Sequence, residues 1–335
     1  MKYLYRHLMR VRRQLLVAAL CASVLDSAMA IMGGALPDSA EKRVDADVPT
    51  SYWTSAVSVK VNGSIYSGVV VAPSYVLTAA HVTGGAQPGT ISVQINTHSV
   101  PVVAAVSAVT TFPGASFPYD DLALLTLASP VSSDVRIPPI LTQALPVHEP
   151  LMLVGYGASG HGDVGPLVGG AASVKRLGLN SVDAVQPTVD SSGRTSLFYF
   201  FDFDGPTGSG AMGAGTLGNG LEGGLAGGDS GSPAYVQIGG QRWLAGINTF
   251  VAPAPGSITA DFRFGTIGGG MLLSDPRFVS WLNIQTQGTL GQPVAESEDI
   301  PLPNWSLAML GGLLSVNLLG RRRYVATGQR SFRSS

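Results

Sequence analysis

Gly227-Gly228-Asp229-Ser230-Gly231-Ser232-Pro233 places one serine on a turn too rich in glycine for regular structure, directly after an acid. A serine hydroxyl is a weak nucleophile at neutral pH. It needs an imidazole to take its proton and a carboxylate to hold that imidazole in one tautomer. Upstream, Asp120-Asp121-Leu122-Ala123-Leu124-Leu125 supplies carboxylates ahead of an apolar run, and Val76-Leu77-Thr78-Ala79-Ala80-His81 ends another such run on a histidine. The three groups therefore occur in the order His, Asp, Ser.

Around these motifs the chain reads as short Val-, Ile- and Thr-rich runs separated by turn residues, the pattern of a barrel or sandwich. Strands are predicted over 56–61, 65–71, 76–80, 91–95, 100–109 and 122–127. A second set is predicted over 151–154, 172–179, 197–203, 232–237, 243–249 and 264–267. The proline-rich stretch 129–150 makes a crossover between the sets. Asp275-Pro276-Arg277-Phe278-Val279-Ser280-Trp281-Leu282 predicts a short closing helix, with Asp275 as N-cap and proline at its first position. The expected fold is all-β: two six-stranded antiparallel β-barrels and a short C-terminal helix. The stretch 205–228 holds 11 glycines in 24 residues. Its first half reads as a surface loop, and its last part, abutting Ser230, must be ordered to shape a site.

Composition agrees with this reading. The 335 residues are 45% hydrophobic and 7% aromatic, with 43 glycines, enough for a large core with many tight turns. Charge is distributed unevenly. Five basic residues lie before residue 14 and five after residue 320, whereas 31–300 holds ten Lys and Arg against twenty Asp and Glu. An acidic body without a basic patch argues against nucleic acid as a partner. The single cysteine, Cys21, leaves the body without a thiol or a disulfide.

The two ends read as addresses. Lys2 to Arg13, the apolar run 15–25 and Ala28-Met29-Ala30 form the charged, apolar and small-residue regions of a signal peptide, 1–30. Pro301 and Pro303, the apolar run 305–319 and Arg321-Arg322-Arg323 form a short apolar segment stopped by positive charge. That end resembles the tripartite sorting signals of Gram-negative bacteria, PEP-CTERM or IPTL-CTERM. The resemblance implies transient inner-membrane association, removal by a sorting protease, and a destination in the periplasm, at the cell surface or outside the cell.

Jointly, the segments 76–81, 121–125 and 228–233 resemble the trypsin/chymotrypsin family of serine peptidases, and the resemblance extends over about 31–284. It implies a 31–140 barrel carrying His81 and Asp121, a 141–285 barrel carrying Ser230, and a 286–299 linker before the 300–335 sorting segment. It also implies that His81 is general base and then acid, that Asp121 orients it, and that Ser230 attacks the carbonyl of a protein or peptide. Thr78 takes the position whose hydroxyl supports the aspartate. The N–H groups of Gly228 and Ser230 form an oxyanion hole. Ile31-Met32-Gly33-Gly34 resembles the activated N-terminus, so that signal peptidase cutting after Ala30 frees an Ile31 ammonium to pair with Asp229. No cofactor or metal is implied.

The family position at the pocket floor is Gly224, and the rim is Thr249-Phe250-Val251. Glycine in place of an acid, and valine in place of glycine, imply small or medium apolar residues before the scissile bond, unless Glu222 or Asp261 reaches the pocket. Asp120 competes with Asp121 but points elsewhere if the segment is extended. His98, His148 and His161 read as solvated loop residues. Other enzyme classes fit less well. An α/β-hydrolase elbow needs G-x-S-x-G and a later histidine, whereas Ser232 holds the last glycine position and no histidine follows His161. A subtilisin-like order needs an acid motif before His81. The remaining alternative is a catalytically silent binding module on the same fold.

Overall fold

The computed structural model describes residues 31–291 other than 39, 99, 209, 213 and 214, and of residues 40 and 41 only the backbone. The expected signal peptide, most of the expected linker and the expected sorting segment lie outside the described residues. Among the described residues no helix is long and apolar enough to cross a membrane.

Six strands close into an antiparallel barrel: β1 (Ala56–Val61), β2 (Ser64–Ala72), β3 (Tyr75–Thr78), β4 (Ile91–Ile95), β5 (Val102–Thr111) and β6 (Ala123–Leu127), in the order β1-β2-β3-β6-β5-β4 with β1 pairing β4. The interior is built from inward-facing β-branched and leucine side chains, among them Val57, Val59, Val70, Val76, Val93, Ile95 and Leu125. Such side chains suit a pleated, half-buried surface, and β4 shows the expected alternation of buried and half-buried positions.

The remaining large sheet has the order β10-β7-β13-β14-β15-β12-β11. Its strands are β7 (Pro150–Gly155), β10 (Arg176–Ser181), β11 (Ala184–Val189), β12 (Thr195–Asp202), β13 (Pro233–Ile238), β14 (Gln241–Ala252) and β15 (Ile267–Leu272). All its pairings are antiparallel. The sheet curls until Asn180 Nδ2 on β10 donates to Asp202 O on β12 at 2.8 Å. It has seven strands where six are expected, because β11 pairs with β12 although Gln186 and Pro187 break its apolar pattern. Proline is tolerated there because β11 is an edge strand. A small hairpin of β8 (Ser159–His161) and β9 (Gly165–Val168) is a further addition. With one closed barrel, a second curled sheet and a terminal helix, the molecule has the expected fold class.

The closing helix, Pro276–Gln285, begins as expected, with the Asp275 side chain accepting from Arg277 N. It buries Phe278, Trp281 and Leu282. Phe278 and Trp281 meet Phe112 edge-on at 4.9 and 5.3 Å, which fastens the C-terminus of the body to the first barrel. The first residues are sewn into the other half. Met32 N donates to Gly224 O at 2.7 Å, Gly33 N to Gly160 O at 3.0 Å, and Ala35 N to Asn219 Oδ1 at 2.7 Å.

Candidate active site

β3 runs into a single helical turn, α1 (Ala80–Thr83), which carries His81. Asp121 precedes β6, and β3 and β6 are antiparallel neighbours with Thr78 opposite Ala123, so sheet register brings the two residues together. Asp121 is buried. Its Oδ1 accepts from His81 N at 2.8 Å and its Oδ2 lies 2.6 Å from His81 Nδ1. A carboxylate at Nδ1 keeps that nitrogen protonated and leaves Nε2 as the acceptor. Nε2 lies 2.9 Å from Ser230 Oγ. The arrangement can take a proton from the hydroxyl as the hydroxyl attacks an electrophile.

Ser230 sits on a turn pinned from both sides. Ser230 O accepts from Ser67 N at 3.1 Å, and Gly231 N donates to Asn248 O at 2.8 Å. Gly231 has φ +83°, and a Cβ there would lie 2.0 Å from Thr78 Oγ1 and 2.3 Å from Ser67 O, so no other residue fits. Among the described residues, no acceptor takes the N–H of Gly228 or of Ser230, which leaves both able to donate to a bound oxygen. Asn248, fully buried, extends the scaffold. Its Nδ2 donates to Ser232 Oγ, and its Oδ1 accepts from Tyr199 OH at 2.7 Å.

Asp120 faces away from His81. Its φ is +50°, and its carboxylate accepts two 3.0 Å bonds from Arg277 and one of 2.7 Å from Ser196 Oγ. It therefore braces the closing helix. Arg277 is 42% exposed, so solvent screens the pair, and Asp120→Asn should cost about 1–3 kcal/mol of stability. Hydrolysis per folded molecule should stay within a factor of two of wild type. Thermal melting and active-site-titrated kinetics check this, and a collapse of turnover would make Asp120 the essential acid.

Other sequence-derived expectations meet the structure differently. Thr78 Oγ1 donates to Ser67 O at 2.8 Å and not to Asp121, because its side chain turns toward the Ser230 turn. His161 is not a loop residue: it ends β8, and its Nδ1 lies 3.0 Å from Gly34 O. His148 is exposed in a loop, and His98 Nε2 lies 3.7 Å from Asp134. Ser67, Tyr156 and Asn248 carry no motif, and sequence reasoning missed them.

Ile31 is fully buried. A Cβ placed on Gly155 would lie 2.0 Å from Asp229 Oδ1 and 3.6 Å from Ile31 Cδ1, so the Ile31 and Asp229 side chains border one small space. Asp229 Oδ2 accepts from Ala226 N at 3.0 Å, whereas its buried Oδ1 makes no hydrogen bond of ordinary geometry. Burial raises this carboxyl well above the usual range, against the pull of the Ala226 and Gly157 N–H groups and the Arg176 guanidinium.

Near Gly224 the surroundings are apolar. A side chain on Gly224 would meet the Phe203 ring at 2.7 Å, and Phe203 clusters with Met32, Ala226, Phe262 and Phe264. Thr249 and Phe250 are buried on β14, with Phe250 edge-on to Phe198 and Phe200, and Val251 is half-buried. Glu222 is buried, accepts from Leu217 N at 2.7 Å, and is raised by burial to about 8, hence neutral at pH 7. Asp261 faces Arg263 at 3.6 Å on the surface. Among the described residues, no group of three His, Cys, Asp or Glu side chains could hold a metal ion.

The buried Asp204 and Glu222 and the half-buried Asp183 have a pH consequence. Burial raises Asp183 to about 7 and Asp204 to about 6, as it does Glu222 to about 8. A carboxyl whose folded pKa is raised favours the fold when protonated. Its contribution is complete below the unfolded value near 4 and is lost as pH rises through 6 to 8. The Ser230→Ala protein should melt higher at pH 5 than at pH 8.5. A higher melting temperature at pH 8.5 would overturn this.

The family model Trypsin matches residues 44–262, an interval that holds His81, Asp121 and Ser230. A comparison with curated proteins finds no match.

Proposed function

Because the chain belongs to the trypsin family, we propose that it is an exported serine endopeptidase acting through His81, Asp121 and Ser230, with a preference for small or medium apolar residues before the scissile bond. The observation that carries the reading is the hydrogen-bonded series from Asp121 Oδ2 through His81 to Ser230 Oγ, at 2.6 and 2.9 Å. Ser230 Oγ adds to the carbonyl carbon while its proton passes to His81 Nε2, and Asp121 stabilises the resulting imidazolium. The oxyanion is taken by the N–H groups of Gly228 and Ser230. The imidazolium then protonates the leaving amine, the C–N bond breaks, and water attacks the acyl-enzyme by the same route in reverse order.

Support for apolar specificity comes from the cluster around Phe203, the neutral Glu222 and the distance-matched pairing of Asp261 with Arg263. A basic side chain entering there would meet the apolar Phe203 cluster and a neutral Glu222. Fluorogenic peptides with Ala, Val or Leu before the cleaved bond should be hydrolysed at least tenfold faster than those with Arg or Lys, a difference of about 1.4 kcal/mol. A preference for Arg or Lys would return Glu222 or Asp261 to the pocket, and no hydrolysis of any peptide would overturn the reading.

The proposal includes the destination. Residues 1–30 direct export, and 300–335 anchor the chain transiently until a sorting protease removes them. The intact mass of the native mature protein should correspond to residues 31 to about 299. A mass that includes Arg321 to Arg323 would make the segment a retained anchor.

A further inference from the structure

We propose that Ser67 is a positioning residue that holds the oxyanion turn in its donating conformation, an inference that rests on Ser230 being the nucleophile. Ser67 lies on β2, fully buried and separated by Gly68 from the buried run Val69-Val70-Val71. A hydroxyl in such a place is costly unless bonded. Its Oγ donates to Gly228 O at 2.9 Å and accepts from Tyr156 N at 3.0 Å. Its N–H donates to Ser230 O at 3.1 Å, and its C=O accepts from Thr78 Oγ1 at 2.8 Å. Every polar group of this residue is engaged, and two of the partners are carbonyls of the nucleophile turn.

The geometry explains why a clamp is needed. Gly228 has φ +91°, and glycine rotates freely enough that its own N–H has no intrinsic orientation. The peptide joining 228 and 229 is held at both ends, its C=O by Ser67 Oγ and its N–H by Ala226 O at 3.2 Å. The peptide joining 230 and 231 is likewise held, its C=O by Ser67 N and its N–H by Asn248 O. Fixing these two planes orients the peptides between and before them, whose N–H groups, on Ser230 and Gly228, have no acceptor among the described residues. Ser67 thus ties the first barrel, which carries the base, to the donors on the other half.

Ser67→Ala tests this against Ser55→Ala, which removes another buried hydroxyl bond, that of Ser55 Oγ with Tyr235 OH at 2.9 Å, away from the turn. Active enzyme is counted by the endpoint of fluorophosphonate labelling, so partial unfolding does not enter kcat. Ser67→Ala should lower kcat about 10- to 100-fold, less than the roughly 10²- to 10³-fold lost with a donor itself, and leave KM within about twofold. The Ki of a peptide aldehyde, whose hemiacetal oxygen occupies the same donors, should rise by the same factor. Ser67→Thr, which keeps the hydroxyl, should restore both. If Ser67→Ala does not fold, Ser67→Cys, a weaker donor in the same place, should show an intermediate loss.

An unchanged kcat per labelled site, a rise confined to KM, or an equal loss in Ser55→Ala would overturn the inference. A wild-type protein that neither labels nor hydrolyses would overturn the parent reading and this inference with it.

Discussion

Ser230→Ala and His81→Ala are each expected to lower kcat by about 10⁶, with no further loss when the two are combined, because nucleophile and base act as one unit. The fold should survive both changes. His81 is 26% exposed, and the Ser230 turn is held by main-chain bonds to Ser67 and Asn248 that do not involve the hydroxyl. Asp121→Asn should cost about 10⁴, since an amide at this position can donate to Nδ1 and strand the proton on Nε2, where it blocks proton transfer from Ser230. Steady-state kinetics with far-ultraviolet dichroism as the folding control decide the matter. Substantial turnover in Ser230→Ala would mean that the 2.9 Å contact between Ser230 and His81 is not the reacting pair.

The second large effect concerns Asp229, whose buried Oδ1 lacks a hydrogen bond of ordinary geometry and borders the space that Ile31 also borders. In the full-length chain the Ile31 nitrogen is an uncharged peptide nitrogen. Cleavage behind Ala30 would make it an ammonium, adding a positive charge to that of Arg176 for this carboxyl. Removing one partner of such a buried pair costs about 3–5 kcal/mol, which corresponds to roughly 10²- to 10³-fold in activity if the pair orders the neighbouring Gly228 and Ser230 donors. A Ser-Gly extension ahead of Ile31 and Asp229→Asn should therefore each lower kcat/KM by that factor. Applied together they should do no more than either alone. Additive losses, or a fully active extended protein, would separate Asp229 from activation.

How much of this was legible in the chain depended on which residues carried the information. The Val-rich runs of the first barrel gave the strands β1 to β6 within two residues at each end, because β-branched and leucine residues recur along each, even along β5, where Val106 alone is buried. The motifs around His81, Asp121 and Ser230 were legible because the chemistry demands those residue types on those backbone shapes. β11 was not, since its edge position tolerates Gln186 and Pro187. β15 was expected over 264–267 and lies at Ile267–Leu272, because Gly268-Gly269-Gly270 reads as a turn. In the fold Gly268 and Gly269 let the Phe201 and Phe250 rings lie against the strand, and Gly270 lets the Ile247 backbone approach it. Ser67, Tyr156 and Asn248 had no signature at all. A serine in a strand or an asparagine in a hairpin is ordinary, and only the partners brought together by folding distinguish them.

The division of the site between two strand systems sets an order in time. Synthesis proceeds from the N-terminus, and every strand of the 56–127 barrel is made before residue 230. That barrel holds His81 and Asp121 but not Ser230, so on the proposed mechanism a chain ending before residue 230 has no hydroxyl for them to activate. Ser230 is made after the whole of that barrel, with three strands and the closing helix still to come. On the proposed mechanism, the direction of translation itself leaves every unfinished copy without its nucleophile.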